Sequence, residues 1–146
     1  MSSPPQPHVG LLFFVAHRAM EQRVLEHVNA AGHQITQAQG RIAARLGPDG
    51  TRLTELAAAA QVTKQTAGFL VDQLERAGYV ERVPDPSDAR ARLVRLAPRG
   101  LEVVLLAREV EAEVRAEWEA HLGAEDYAHL EATMARLREV TDPDAG

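Results

Sequence analysis

The sequence predicts a mainly α-helical chain with a small β-wing: a winged helix-turn-helix head carried between long N- and C-terminal dimerisation helices. Three observations predict it. Two short apolar stripes at helical spacing, Leu56-Ala57-Ala60 and Ala67-Leu70-Val71-Leu74, are separated by only a few residues, as in a helix-turn-helix. Two alternating segments, Tyr79–Val83 and Leu93–Leu96, flank a Pro- and Asp-rich loop that carries Arg90 and Arg92, which reads as a hairpin with an arginine tip. Longer apolar stripes lie on either side, and a head of this size cannot bury them.

Taken in order, residues 1–8 are Pro- and Ser-rich and read as a disordered tail. Phe13, Ala16, Met20, Val24 and Val28 then recur every three or four residues, which predicts a helix from Val9 to Ala31 ended by Gly32. Thr36 and Gln39 have the spacing of a capping box and open a second helix, with Ile42 and Leu46 on its buried side. Gly47 to Gly50 is a loop. Thr54 is placed to cap the third helix, Val62 to plug the turn, and Thr63 to cap the fourth. Gly78 suits the left-handed residue after that helix, with Tyr79 folding back on its end. A long helix follows from Pro98 to Leu122 with Val103, Ala107, Val110, Val114 and Trp118 on one face. A last helix after Gly123 aligns Tyr127, Leu130, Met134 and Leu137, and the stretch from Asp142 is expected to fray. The division is therefore 35–97 for the winged head and 9–34 with 98–146 for the helical dimerisation region, within one continuous domain.

Composition bounds the chemistry. The absence of cysteine excludes disulfides, thiolate zinc sites and thiol redox sensing. No run reaches eighteen apolar residues and the start lacks a basic leader region, so no membrane association and a cytoplasmic protein are expected. The net charge of −5 is unevenly spread. Residues 1–50 hold four basic and three acidic side chains, 51–100 eight and six, and 101–146 four and twelve. The acid is thus concentrated in the last third, away from a mildly cationic head. No phosphate-cradling glycine loop or nucleophile elbow is present, and the Glu109–Glu119 run reads as a solvated helix face, so no enzyme and no cofactor are expected.

The candidate chemistry is nucleic-acid recognition. Thr63, Lys64, Gln65 and Thr66 open the fourth helix with short polar and cationic side chains that can donate to phosphates and reach base edges. Gln65 is the best base reader, because its amide can pair with adenine N6 and N7. Arg90 suits a narrow minor groove, and Arg82 and Arg92 suit the phosphate backbone. The unspent terminal stripes suit a second copy of the chain, which would present two recognition helices to a pseudo-palindromic duplex; a monomeric bundle is the alternative.

These motifs together resemble the MarR family of bacterial transcriptional regulators. Ile35-Thr36-x-x-Gln39, Leu53-Thr-Glu-Leu-Ala57, Val62-Thr-Lys-Gln-Thr66, Leu70-Val-Asp-Gln-Leu-Glu-Arg-Ala-Gly-Tyr-Val-Glu-Arg82 and Asp88-x-Arg90 before Leu93-Val-Arg-Leu96 stand in that family's order over nearly the whole chain. The resemblance implies homodimeric winged-helix proteins, usually repressors of double-stranded DNA sites, whose affinity answers to a small molecule or to oxidation. It implies that Asp88 braces the wing and Arg90 enters the minor groove, with Ser87 beside them among the DNA contacts. Effectors of the family bind between the dimerisation helices and the head, where His17 and Arg18 are the candidates here; ordinary dimer or surface contacts are the alternative. Two positions depart from the pattern. Gln61 replaces the usual turn residue, which suggests a tilted turn, and Ala97 lacks the hydroxyl that caps the next helix.

Other readings stay open. Six histidines (His8, His17, His27, His33, His121 and His129) raise a metal-sensing regulator, and His17 with Glu21, or His121 with Glu117 or Glu125, have ligand spacing, but no His-x-x-x-His pair exists. No metal site is therefore assigned. A winged helix used only for protein contact is the remaining alternative, against which the arginines beside a polar helix start weigh.

Overall fold

The structure, a computed structural model, describes residues 2–145. Its elements in order are α1 (Val9–Ala30), α2 (Gln37–Ala43), α3 (Leu53–Ala60), α4 (Lys64–Arg76), β1 (Val80–Asp85), β2 (Asp88–Leu96), α5 (Pro98–Leu122) and α6 (Ala124–Thr141). None of these helices is long and apolar enough to cross a membrane.

Local chemistry sets most of the boundaries. His8 Nδ1 accepts the Gly10 N–H at 3.1 Å and starts α1, and Gly32 at φ +100° ends it. The Asn29 side chain then bonds both the N–H (2.9 Å) and the carbonyl (3.3 Å) of Ile35, which closes the turn into α2. The capping box forms as expected: Thr36 Oγ1 accepts from Gln39 N–H and Gln39 Oε1 accepts from Thr36 N–H.

The start of α3 departs from expectation. Thr54 does not cap it; Arg52 holds the N-cap position without a side-chain capping bond. The cause lies outside the helix, since the Arg52 guanidinium is drawn to Asp85 on β1. Val62 does not plug the following turn either. It is 36% exposed, and its N–H rather than its side chain closes the turn, on Ala57 O at 3.0 Å. Gln61 takes the left-handed conformation at φ 58°, among the described residues the one non-glycine with positive φ. The departure at this position thus appears as backbone strain of about 1 kcal/mol.

Helix α4 follows the sequence closely. Thr63 caps it, Ala67, Leu70, Val71 and Leu74 are buried, and Gly78 at φ +83° ends it. Gly78 N–H reaches Glu75 O and Tyr79 N–H reaches Leu74 O, the paired bonds of a Schellman end. Its buried stripe meets Val28, Ile42, Leu56, Tyr79, Val80 and Val94, so one core joins α1, α2, α3, α4 and the wing. The hairpin gains a third member that the sequence does not announce: Thr51 pairs with Val94 through two backbone bonds, of 2.8 and 2.9 Å.

Helix α5 runs antiparallel along α1. Arg23 pairs with Glu117 and His27 Nε2 lies 3.1 Å from Glu109, so positions higher on one helix meet positions lower on the other. The terminal stripes are buried to different depths. On α1 the burial falls from Val28 (buried) through Val24 and Met20 (half-buried) to Phe13 (exposed), while Val110, Val114 and Tyr127 are buried within one copy. The C-terminal stretch is also tied down rather than frayed at Asp142, whose carboxylate bonds Arg138 (2.7 Å) and reaches across to Arg45 (2.6 Å).

Candidate nucleic-acid interface

The first turn of α4 stands free of the core. Thr63 Oγ1 accepts the Thr66 N–H at 3.1 Å and donates to the Thr66 hydroxyl at 2.9 Å, so both threonines stiffen the helix start. Lys64 and Gln65 are exposed, and among the described residues neither side chain has a hydrogen-bond partner. Beside them, Arg52, Leu53, Lys64, Arg82, Ala91 and Arg92 line a cleft of about 380 Å³ between the helix start and the wing. Helix and wing therefore present one continuous face.

The wing is longer than its alternation predicts. Arg90 and Arg92 lie on β2 rather than in a loop, because pairing continues to Pro84↔Arg92. The register then jumps to Asp85↔Asp88, leaving residues 89–91 with no opposite number. Arg90 sits in that bulge with its side chain 93% exposed. Asp88 orders the tip locally, accepting the Arg90 N–H at 3.0 Å, and Arg92 donates to the carbonyl of Arg82 at 3.1 Å.

Two predicted residues have acidic partners within the chain. Arg82 bonds Asp72 and Glu75 on α4, each at 2.7 Å, and is only 22% exposed, so its charge clamps β1 to α4. Ser87 gives its N–H (2.8 Å) and hydroxyl (2.7 Å) to Asp85. Asp85, which sequence reading missed, is the tie between wing and head. It is 7% exposed and also accepts from Arg52 Nε at 2.8 Å. The Asp85-x-Ser87 spacing of a side-chain turn was the available signal; the Arg52 partner had none.

Ser87 and then Arg52 hold the Asp85 carboxyl down at about 2, against an ordinary 3.8. Because the folded value is depressed, the stabilisation is complete above the ordinary value and disappears as pH falls through about 2. The wing amides are therefore expected to keep slow hydrogen exchange at pH 5 and to lose it between about pH 4 and 2, and Asp85→Asn should abolish that step. A wing equally protected in the variant would contradict the tie.

Residues 33–91 match the profile of the MarR family. A solved structure of MarR is 28% identical, with 92% of this chain and 96% of that one aligned at a TM-score of 0.68. The matched segment, residues 33–91, resembles the MarR family, and the fold around it is that of the MarR structures. It is also similar to a probable transcriptional regulator from Pseudomonas aeruginosa, at 25% identity over 89% of this chain and 96% of that one, TM-score 0.65. A mutant MarR from E. coli, solved in complex with operator DNA, shares the fold at a TM-score of 0.69, 24% identity, and 88% and 92% coverage. No curated protein matches the chain. The MarR family is one of transcriptional regulators, and its mainly helical fold with a two-stranded wing is the one found here.

The effector candidates have other partners in this chain. Arg18 Nη1 lies 2.6 Å and His17 Nε2 3.3 Å from the Glu21 carboxylate. Glu21 also takes two bonds from Arg41 and one from Gln37, so it joins α1 to α2. The Arg41 guanidinium holds the Glu21 carboxyl below its usual range. Sequence reading noted Glu21 only as a possible metal ligand with His17. Among the described residues no group of three His, Cys, Asp or Glu could hold a metal, and Glu117 is taken by Arg23 rather than His121.

Proposed function

We propose that this chain is a sequence-specific DNA-binding regulator acting as a homodimer on a pseudo-palindromic site, as a repressor answering to a small effector. The observation that carries the reading is the shared face of α4 and the wing: Lys64 and Gln65 unpaired at the helix start, Arg92 on the same cleft, and Arg90 standing off the neighbouring bulge. A first turn with free donors suits base edges and phosphates, and an exposed arginine on a narrow wing suits a minor groove. Lys64 touches phosphate and Gln65 pairs with a base, while Thr63 and Thr66 set the helix start. Arg92 follows the backbone and Arg90 reads groove width.

The homodimer is supported by the apolar surface that one copy leaves in water. Leu11, Leu12, Phe13, Phe14 and Val15 on α1, with Leu122, Leu130 and Met134 at the other end of the chain, are exposed. Such a patch suits an isologous interface. The repressor role and the effector follow from the family likeness. An effector that drew His17 or Arg18 from Glu21 would loosen the join of α1 to α2 and so reach the head.

A competition gel shift with duplex from upstream of the chain's own coding sequence tests the reading. The native duplex is expected to be retained while a scrambled one is displaced, and sedimentation should give twice the 15.9 kDa mass of one chain. Equal binding of both duplexes, or a folded monomer at micromolar concentration, would overturn it.

A further inference from the structure

One residue on the proposed DNA face has no structural employment. Phe69 lies four residues after Gln65, so the two share the side of α4 opposite the buried Ala67, Leu70, Val71 and Leu74. Its side is otherwise polar, yet the residue is 60% exposed. The core does not use this ring. Beyond it, Asp72 and Glu75 bring acid to the helix and are spent on Arg82, which limits close approach of DNA to the first two turns of α4. Phe69 is therefore the last residue on this face before the acid begins. Gly68 beside it carries no side chain to crowd the ring, and the fold does not demand that glycine: a Cβ there would meet only Leu53 Cδ2, at 3.7 Å.

In the major groove the bases present hydrogen-bonding groups and one apolar group, the C5-methyl of thymine. An apolar ring aimed into that groove has one kind of partner. We infer that Phe69 reads sequence, its ring covering the C5-methyl of a thymine. This rests on the DNA reading above. Four residues of helix advance about 6 Å, or about two base-pair steps, so the thymine lies within about two steps of the base that Gln65 addresses.

The test begins with a duplex selected from a random pool by the full-length wild-type chain. Each thymine is then replaced in turn by deoxyuridine, which removes the methyl and leaves the pairing. One position per half-site is expected where the loss weakens wild-type binding about fourfold, the value of one buried methyl-sized group. Phe69→Ala is expected to bind the thymine duplex about as weakly and to discriminate less than about twofold at that position. Gln65→Ala should keep the discrimination, and so should Phe69→Leu in part. Because the ring is mostly in water, melting temperatures should stay close to wild type. Wild-type indifference to every deoxyuridine, or discrimination that survives in Phe69→Ala, would overturn the inference while leaving the DNA reading intact. Selection of no duplex at all would overturn both.

Discussion

Val114→Asp is expected to unfold the chain, whereas Phe14→Asp is expected only to separate two copies. From sequence alone, Val110 and Val114 fall on one apolar stripe with Trp118 and look like dimer contacts. The structure divides that surface. Val114 is 1% exposed in a single copy, where α5 packs against α1 and α6. An unpaired carboxylate there costs several kcal/mol, a large share of the about 5–15 kcal/mol that holds a domain together. Phe14 is 58% exposed near the start of α1 and is not part of the hydrophobic core. Two carboxylates brought to an isologous interface should weaken it by about 3 kcal/mol or more, about a hundredfold in dissociation constant. Circular dichroism with sedimentation distinguishes the outcomes: lost helicity for Val114→Asp, and a helical 15.9 kDa species for Phe14→Asp. A stable, folded Val114→Asp dimer would contradict this division of the surface.

Gly100→Ala is expected to be the most damaging single-methyl change in the chain. Gly100 lies in the first turn of α5, where Ala97 N–H bonds the Tyr79 carbonyl at 3.0 Å. A Cβ on Gly100 would stand 2.1 Å from that same carbonyl oxygen and 3.0 Å from Leu96 Cδ2. The obstacle is backbone, at the Schellman end of α4, so no rotamer change relieves it. Either α5 lifts from the head or the helix end unwinds, at about 3 kcal/mol or more and about 10 °C in melting temperature. Gly68→Ala is the control: it has room and should gain about 1 kcal/mol. A Gly100→Ala protein melting within 2–3 °C of wild type would show that the close approach is not required.

What was legible in the sequence follows from how far apart the interacting residues lie. The capping box of Thr36 and Gln39, the cap at Thr63, the glycine end at Gly78 and the stripe of α4 are settled within four residues or so, and each is found where the pattern places it. The cap of α3 was not legible, because Arg52 is claimed by Asp85, 33 positions away. Long separation likewise hides the Arg52 side of the wing's tie and the pairing of Thr51 with Val94. Glu21 has neighbours at helical spacing, but its strongest partner, Arg41, comes from another helix. Periodicity marked which residues of α1 and α5 are apolar. It could not say which of them one copy buries, since that depends on where α5 lies along α1 and α6 along α5. Of the candidate DNA residues, Lys64, Gln65 and Arg90 are exposed as their position and charge suggest, whereas the acidic partners of Arg82 come from α4 and depend on how β1 packs against that helix.

The central claim is that the helix start reads bases while the wing reads groove and backbone. Its most direct test is competition binding of Gln65→Ala, Arg90→Ala and Arg92→Ala to cognate and scrambled duplexes at two salt concentrations. Gln65→Ala should lose about 1–3 kcal/mol on the cognate site and relax its sequence preference. Arg90→Ala should lose most on duplexes with A·T-rich flanks. Arg92→Ala should weaken every duplex evenly and reduce the salt slope by about one. If all three variants bind the cognate duplex as wild type does, the DNA-binding face lies elsewhere on the molecule and the account fails.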